Sequence, residues 1–154
     1  MFLYIARHAW AGHYGDPGWP DDSLRELTPE GMERYRRLVQ ALAERGFAPQ
    51  RIATSPYARC RQTAEIIAEH ASAAPGPPSQ IPGPPSQIPG PPSQIIDELD
   101  ALAPGSDMQA ALAWADQHVG QDLCWVGHNP DVGRMTAALI GLPGSRGGNG
   151  AAIR

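Results

Sequence analysis

Phe2-Leu3-Tyr4-Ile5-Ala6-Arg7-His8 opens as an uninterrupted apolar run that ends abruptly on an arginine and a histidine. A short, partly β-branched run without polar alternation predicts a strand buried on both faces, as strands of parallel sheets are. The pattern recurs twice: Arg51-Ile52-Ala53-Thr54 leads into Ser55-Pro56, and Asp122-Leu123-Cys124-Trp125-Val126 leads into Gly127-His128-Asn129-Pro130. Helical spacing fills the intervals. Thr28-Pro29-Glu30 reads as an N-cap, a first-turn proline and an acid that complements the helix dipole, followed by Met32, Tyr35, Val39 and Leu42 on one face and Gly46 as a stop. A second helix follows Ser55-Pro56, with the same order of polar cap and proline, and runs to about His70 with Ile66 and Ile67 inward. Spacing predicts a third helix over 107–119, with Met108, Leu112, Ala115 and Val119 inward, and a fourth after Pro130 carrying Val132, Met135, Leu139 and Ile140. Residues 11–23, with Gly12, Gly15, Pro17, Gly18 and Pro20, read as a loop. Strands alternating with helices predict an α/β fold, a three-layer sandwich with a mostly parallel central sheet flanked by helices.

Composition limits the chemistry. The 154 residues carry 12 basic against 16 acidic side chains, a net charge of −4, and every basic residue is arginine. Without lysine there is no P-loop signature and no Schiff-base chemistry. A net negative chain without a basic run is a poor nucleic-acid binder. Cys60 and Cys124 have no metal-ligand spacing and read as reduced thiols acting as small apolar fillers, which fits a cytoplasmic protein. The apolar start is too short for a signal-peptide core and no stretch is long enough for a membrane span. The length suits a single domain over 1–154. One segment stands apart: 75–95 is three identical copies of Pro-Gly-Pro-Pro-Ser-Gln-Ile, holding nine of the 17 prolines, and reads as a flexible inserted loop without a catalytic role.

Open α/β sheets bind ligands at the carboxyl ends of their strands. Those ends are Arg7-His8, Thr54-Ser55 leading into Arg59, and Gly127-His128, so two histidines and two arginines converge on one edge. Guanidinium forks pair bidentately with phosphate oxygens and stay charged. A neutral imidazole can attack phosphorus and carry the phosphoryl group. Such chemistry rests on positioning and charge stabilisation and calls for no metal and no cofactor.

Ala6-Arg7-His8-Ala9, Ser55-Pro56-Tyr57-Ala58-Arg59-Cys60-Arg61-Gln62-Thr63-Ala64 and Val126-Gly127-His128-Asn129-Pro130 resemble, in order, the three signature segments of the histidine phosphatase superfamily, which includes the phosphoglycerate mutases. Asp22-Ser23-Leu24-Arg25-Glu26-Leu27-Thr28-Pro29-Glu30-Gly31 and the small size are similar to its SixA-type phosphohistidine phosphatases. The resemblance implies a phosphoglycerate mutase-like fold and His8 as the nucleophile that becomes phosphorylated. Arg7, Arg59 and His128 would hold the phosphoryl oxygens, with Arg25 an additional ligand and Asp22 near the pocket. The expected partner is a phosphorylated protein or a small phosphorylated substrate, with no nucleic acid and no membrane.

Three departures stand against that pattern. Ala9 replaces the usual glycine after the first histidine. Leu99-Asp100-Ala101 places alanine where many members carry a glutamate general acid, leaving Asp97, Glu98 and Asp100 as neighbouring substitutes. The chain ends near 150–154, where relatives continue a strand, so a short or missing edge strand is expected. A weak acid favours a phosphoramidate, whose imidazole leaves readily once protonated, over a phosphomonoester. The leading expectation is a phosphohistidine phosphatase acting on a signalling protein. The alternatives are a broad phosphomonoesterase or mutase-like enzyme, and a non-catalytic phosphate-binding module, which the retention of Arg7, His8, Arg59 and His128 disfavours. A strand-end histidine alone is ordinarily structural, but the adjacent arginine and the second segment favour function here. Arg25 could equally pair with Asp22 or Glu26, and His13, His70, His118 and Arg61 read as surface residues. Trp10, Tyr14 and Trp19 follow His8 in the loop and serve either packing or recognition.

Overall fold

In the computed structural model, which describes residues 1–71 and 94–141, four parallel strands form one sheet in the order β1-β4-β2-β3. Their ranges are β1 Leu3–Arg7, β2 Arg51–Thr54, β3 Ile95–Glu98 and β4 Leu123–Gly127. The helices are α1 Pro29–Ala43, α2 Ala58–His70, α3 Met108–Asp116 and α4 Asp131–Leu139, with single 3₁₀ turns at Asp22–Leu24 and Asp100–Leu102.

Side-chain alternation along the two central strands explains the layers. Ile52 of β2 and Cys124 and Val126 of β4 point into a core built with Val39, Cys60, Ala64 and Ile67 of α1 and α2. Ala53, Leu123 and Trp125, one position out of phase, point into a second core with Leu102, Ala111, Trp114, Ala115 and Met135. A period of two therefore buries opposite faces of each strand against different helices. Both cysteines are buried and free. No helix among the described residues is long and apolar enough to cross a membrane.

Cap chemistry accounts for the helix starts. Thr28 Oγ1 accepts from Gly31 N at 2.9 Å, with Pro29 at the first turn. Asp107 caps α3 by accepting from Gln109 N and Ala110 N. Ser55 departs from the expected capping role: α2 starts at Ala58 after Tyr57, which offers no side-chain cap, and the Ser55 hydroxyl faces His128 instead.

Three further expectations are corrected. Ile95–Glu98, of which only Ile95 was assigned above, to the inserted loop, is a fourth strand in register with β2, Thr54 opposite Glu98. The inserted loop thus gives up Ile95 to β3, and 75–93 lies outside the described residues. In α3, which ends at Asp116, the inward residues are Ala111, Trp114 and Ala115, while Leu112 and Val119 are exposed. Leu139 and Ile140 are exposed as well. The C-terminal segment 142–154, with its expected edge strand, lies outside the described residues, among which β1 is one sheet edge.

Candidate active site

The register of the sheet brings the site together. Arg7 lies opposite Gly127, and His8 N donates to Gly127 O at 3.1 Å, so the chain leaving β1 is tied to the chain leaving β4 just before His128. The rings of His8 and His128 lie 5.4 Å apart. From the next strand, Ser55 N donates to Val126 O at 3.0 Å, and α2 then carries Arg59 inward to 3% exposure. Arg7, His8, Arg59 and His128 thus converge at the strand ends, as expected.

His8 is held in one tautomer. Its Nδ1 lies 2.7 Å from Ala9 O. A carbonyl only accepts, so Nδ1 carries the proton and Nε2 keeps its lone pair. Burial, with the charges of Arg59, Arg7 and Arg25, lowers the ring's pKa to about 4, although the bond to Ala9 opposes that. The imidazole is therefore neutral at physiological pH, with a nucleophilic Nε2.

Arg59 is the most heavily bonded member. Its Nη1 donates to Asp22 O at 2.7 Å and Nη2 to Asp22 Oδ2 at 3.0 Å. Nη2 also lies 3.3 Å from His128 Nδ1. A guanidinium only donates, so His128 accepts at Nδ1 and carries its proton on Nε2, 2.9 Å from Ser55 Oγ. Burial, then the Arg59 charge, lowers His128 to about 4. Arg59 Nε is buried and finds no hydrogen-bond partner among the described residues. A buried cationic donor with a free hydrogen suits an anion.

Asp22 and Arg25 are tied to each other beside Arg59. Arg25 Nε donates to Asp22 Oδ1 at 2.7 Å and its Nη1 to Gly12 O at 2.6 Å, so it pairs with Asp22, but with its side chain only 12% exposed. Burial raises the Asp22 carboxyl, but the Arg25 hydrogen bond and the Arg59 and Arg25 charges outweigh that and hold it below the usual range. An ionised carboxylate repels a phosphoryl group, so Asp22 can orient the two arginines but is no direct anion ligand.

Each of the carboxylates that follow the repeat is either paired or exposed. Asp97 accepts from Arg51 Nε at 2.6 Å and from Trp114 Nε1 at 3.2 Å, and the Arg51 hydrogen bond, against burial, holds it low. Glu98 pairs with Arg61 at 3.1 Å on the surface, and Asp100 is exposed. Ala101 itself is buried in the α3 core. Ala9, the other departure, is also buried, its N–H donating to Thr63 Oγ1 at 3.0 Å.

Arg7 is exposed and makes no ion pair among the described residues. It lines, with His8, a cleft of about 360 Å³ that also takes in Trp10, Arg34, Tyr35 and Leu38. Trp10 is 58% exposed and stacks beneath the Arg34 guanidinium at 4.2 Å, while Tyr14 is 83% exposed. The Trp10–Arg34 pair and the hydroxyls of Ser55 and Thr63 were not singled out in the sequence. The motif placed Ser55 and Thr63 beside Arg59, but only the fold shows what each hydroxyl faces. No group of three or more His, Cys, Asp or Glu side chains that could hold a metal occurs among the described residues.

The chain is similar to known proteins in sequence and in fold. The profile of the histidine phosphatase superfamily (branch 1) matches residues 3–78. An uncharacterized protein of Picosynechococcus sp. strain PCC 7002 is 34% identical over 142 residues, 90% of this chain and 73% of that protein. The structure named for phosphohistidine phosphatase SixA of Agrobacterium tumefaciens superposes with a TM-score of 0.65 at 24% identity, covering 90% of this chain and 76% of that one. A protein histidine phosphatase SixA complexed with tungstate gives 0.65 at 24%, covering 89% and 75%. Ecdysone phosphate phosphatase of Bombyx mori, also with tungstate, gives 0.60 at 15%, covering 99% and 82%. At these identities the structures establish the shared fold, while the match of the superfamily profile over residues 3–78 carries the family. The chain belongs to the histidine phosphatase superfamily, branch 1, and its chemistry is that of a phosphatase.

Proposed function

We propose that this phosphatase hydrolyses the phosphoramidate of a phosphohistidine in a signalling protein, through a phosphohistidine formed on its own His8. Nε2 of His8 attacks phosphorus, the substrate's P–N bond breaks, and the leaving imidazole takes up a proton. Water then attacks phospho-His8, releasing inorganic phosphate and restoring the neutral ring. Arg7 and Arg59 stabilise the charge on the equatorial oxygens. His128 donates its Nε2 proton to one of those oxygens in place of Ser55. Asp22 holds Arg25 and Arg59 in place.

The observation that carries the substrate class is the state of the carboxylates. Asp22 is ionised between two arginines, Asp97 is bound by Arg51 and Trp114, and Ala101 supplies no acid. A phosphomonoester needs a proton on its departing alkoxide, whereas a phosphohistidine ring leaves well once protonated from solvent. The bound tungstate of the SixA relative is an oxyanion of phosphate-like shape, in keeping with this reading.

The test compares a phosphohistidine protein with p-nitrophenyl phosphate and a sugar phosphate, using wild type and His8→Ala. The expected result is faster turnover of the phosphohistidine protein, an acid-labile phosphoenzyme in wild type, and a loss on the order of a thousandfold or more in His8→Ala. Faster turnover of the sugar phosphate would overturn the substrate class. Turnover of neither would leave a phosphate-binding module.

A further inference from the structure

Three hydrogen bonds run in series behind His8. His8 Nδ1–H donates to Ala9 O at 2.7 Å, Ala9 N–H donates to Thr63 Oγ1 at 3.0 Å, and Thr63 Oγ1–H donates to Arg59 O at 2.7 Å. Thr63 has no exposed surface and sits one helical turn after Arg59. A threonine hydroxyl inside a helix commonly bonds only the carbonyl four residues back. Here its lone pair also takes the N–H of the residue that follows His8. One hydroxyl thereby joins the backbone after His8 to the backbone of Arg59, although the two lie on different elements.

We infer that Thr63 is a positioning residue that sets the orientation and tautomer of His8 by anchoring Ala9. The inference rests on the reading of His8 as the nucleophile. Ala9 is held at its nitrogen by Thr63, and its oxygen holds the His8 ring proton. Without the hydroxyl, Ala9 N–H becomes a buried donor lacking a partner, a cost the backbone relieves by turning. Turning moves Ala9 O away from Nδ1. The ring then loses the bond that selects its tautomer, and a proton on Nε2 removes the lone pair that attacks phosphorus. The same hydroxyl couples the nucleophile to Arg59, so the spacing between the attacking nitrogen and the anion-binding cation depends on it.

The test pairs Thr63→Val, which keeps the shape and deletes the hydroxyl, with Thr63→Ser, which keeps the hydroxyl. Two quantities are read: kcat and KM on the phosphohistidine protein, and the ¹⁵N spectrum of the His8 ring in free enzyme. In Thr63→Val, kcat is expected to fall about 10- to 100-fold with KM held within about twofold, and Thr63→Ser to restore kcat to within about threefold. Wild type and Thr63→Ser should show a protonated Nδ1 and a bare Nε2, and Thr63→Val a mixture of tautomers. A ring in Thr63→Val that keeps the wild-type protonated Nδ1 would overturn the inference, and so would wild-type kcat. If Thr63→Val does not fold, Thr63→Ala carries the same comparison. The ring spectrum needs no substrate, so it separates the two claims. Full turnover in His8→Ala sinks the nucleophile reading, whereas an unchanged tautomer in Thr63→Val sinks the role of Thr63 alone.

Discussion

At the level of single residues, the state of His8 follows from influences that act in opposite senses. The bond to Ala9 O favours a protonated ring, while burial and three arginines disfavour it more strongly, and the balance lies at about pH 4. The sign of the pH response follows. Free enzyme with a folded-state pKa near 4 keeps its nucleophile neutral above that value and loses it below. After allowance for substrate ionisation, kcat/KM should be level from pH 8 to about 5 and fall through about 4, where His8 and its neighbour His128 both gain protons. An acid limb centred near the unperturbed histidine value of about 6.5 would mean that desolvation does not govern this ring. His8 and His128 were legible as candidates because each follows an apolar strand, yet nothing in the residue order reveals which ring nitrogen each exposes. That depends on Ala9 O from one segment and on Ser55 and Arg59 from another, distant in the chain.

Between elements, the decisive contact lies where the loop after His8 meets the first turn of α1. Thr28 N donates to Trp10 O at 2.9 Å. A Cβ placed on Gly31 would stand 2.3 Å from Trp10 O and 2.9 Å from Trp10 Cβ, a distance backbone atoms cannot tolerate. Glycine is needed here for close approach, which also lets the α1 cap hold the chain two residues past His8. Gly31→Ala should therefore destabilise the fold by about 1–3 kcal/mol and lower kcat as the loop shifts. Urea denaturation and turnover measured together check this; unchanged values for both would mean the loop yields freely. The helix start at Thr28 was readable from Thr28-Pro29-Glu30, because capping is a local affair. Strand β3 was not readable, because Ile95-Ile96-Asp97-Glu98 is short, starts inside the repeat, and takes its extended form from pairing with β2.

Across the whole molecule, the sheet order sets which strand ends become neighbours. Strand β4 lies between β1 and β2, and so gathers His8 and Arg59 around His128 from segments more than 50 residues apart. In the chain the triple repeat stands between α2 and β3, whose Asp97 is anchored by Arg51. Deleting two of its three copies should leave kcat and Tm unchanged, since loop length enters stability only logarithmically. A fall in kcat, measured beside the intact chain, would give the repeat a part in substrate handling.

Short uninterrupted apolar runs, cap residues and strand-end arginines and histidines are local properties, and they were enough to point to an α/β sandwich with His8, Arg7, Arg59 and His128 near one edge. Partnerships across the chain are another matter. Asp22 and Asp97 look alike as acids in the sequence, but folding sets one between Arg25 and Arg59 at the site and the other on Arg51 beneath Trp114. The protonation and reach of a side chain depend on its desolvation and on the charges within a few ångströms, which chain order does not encode and three-dimensional packing supplies.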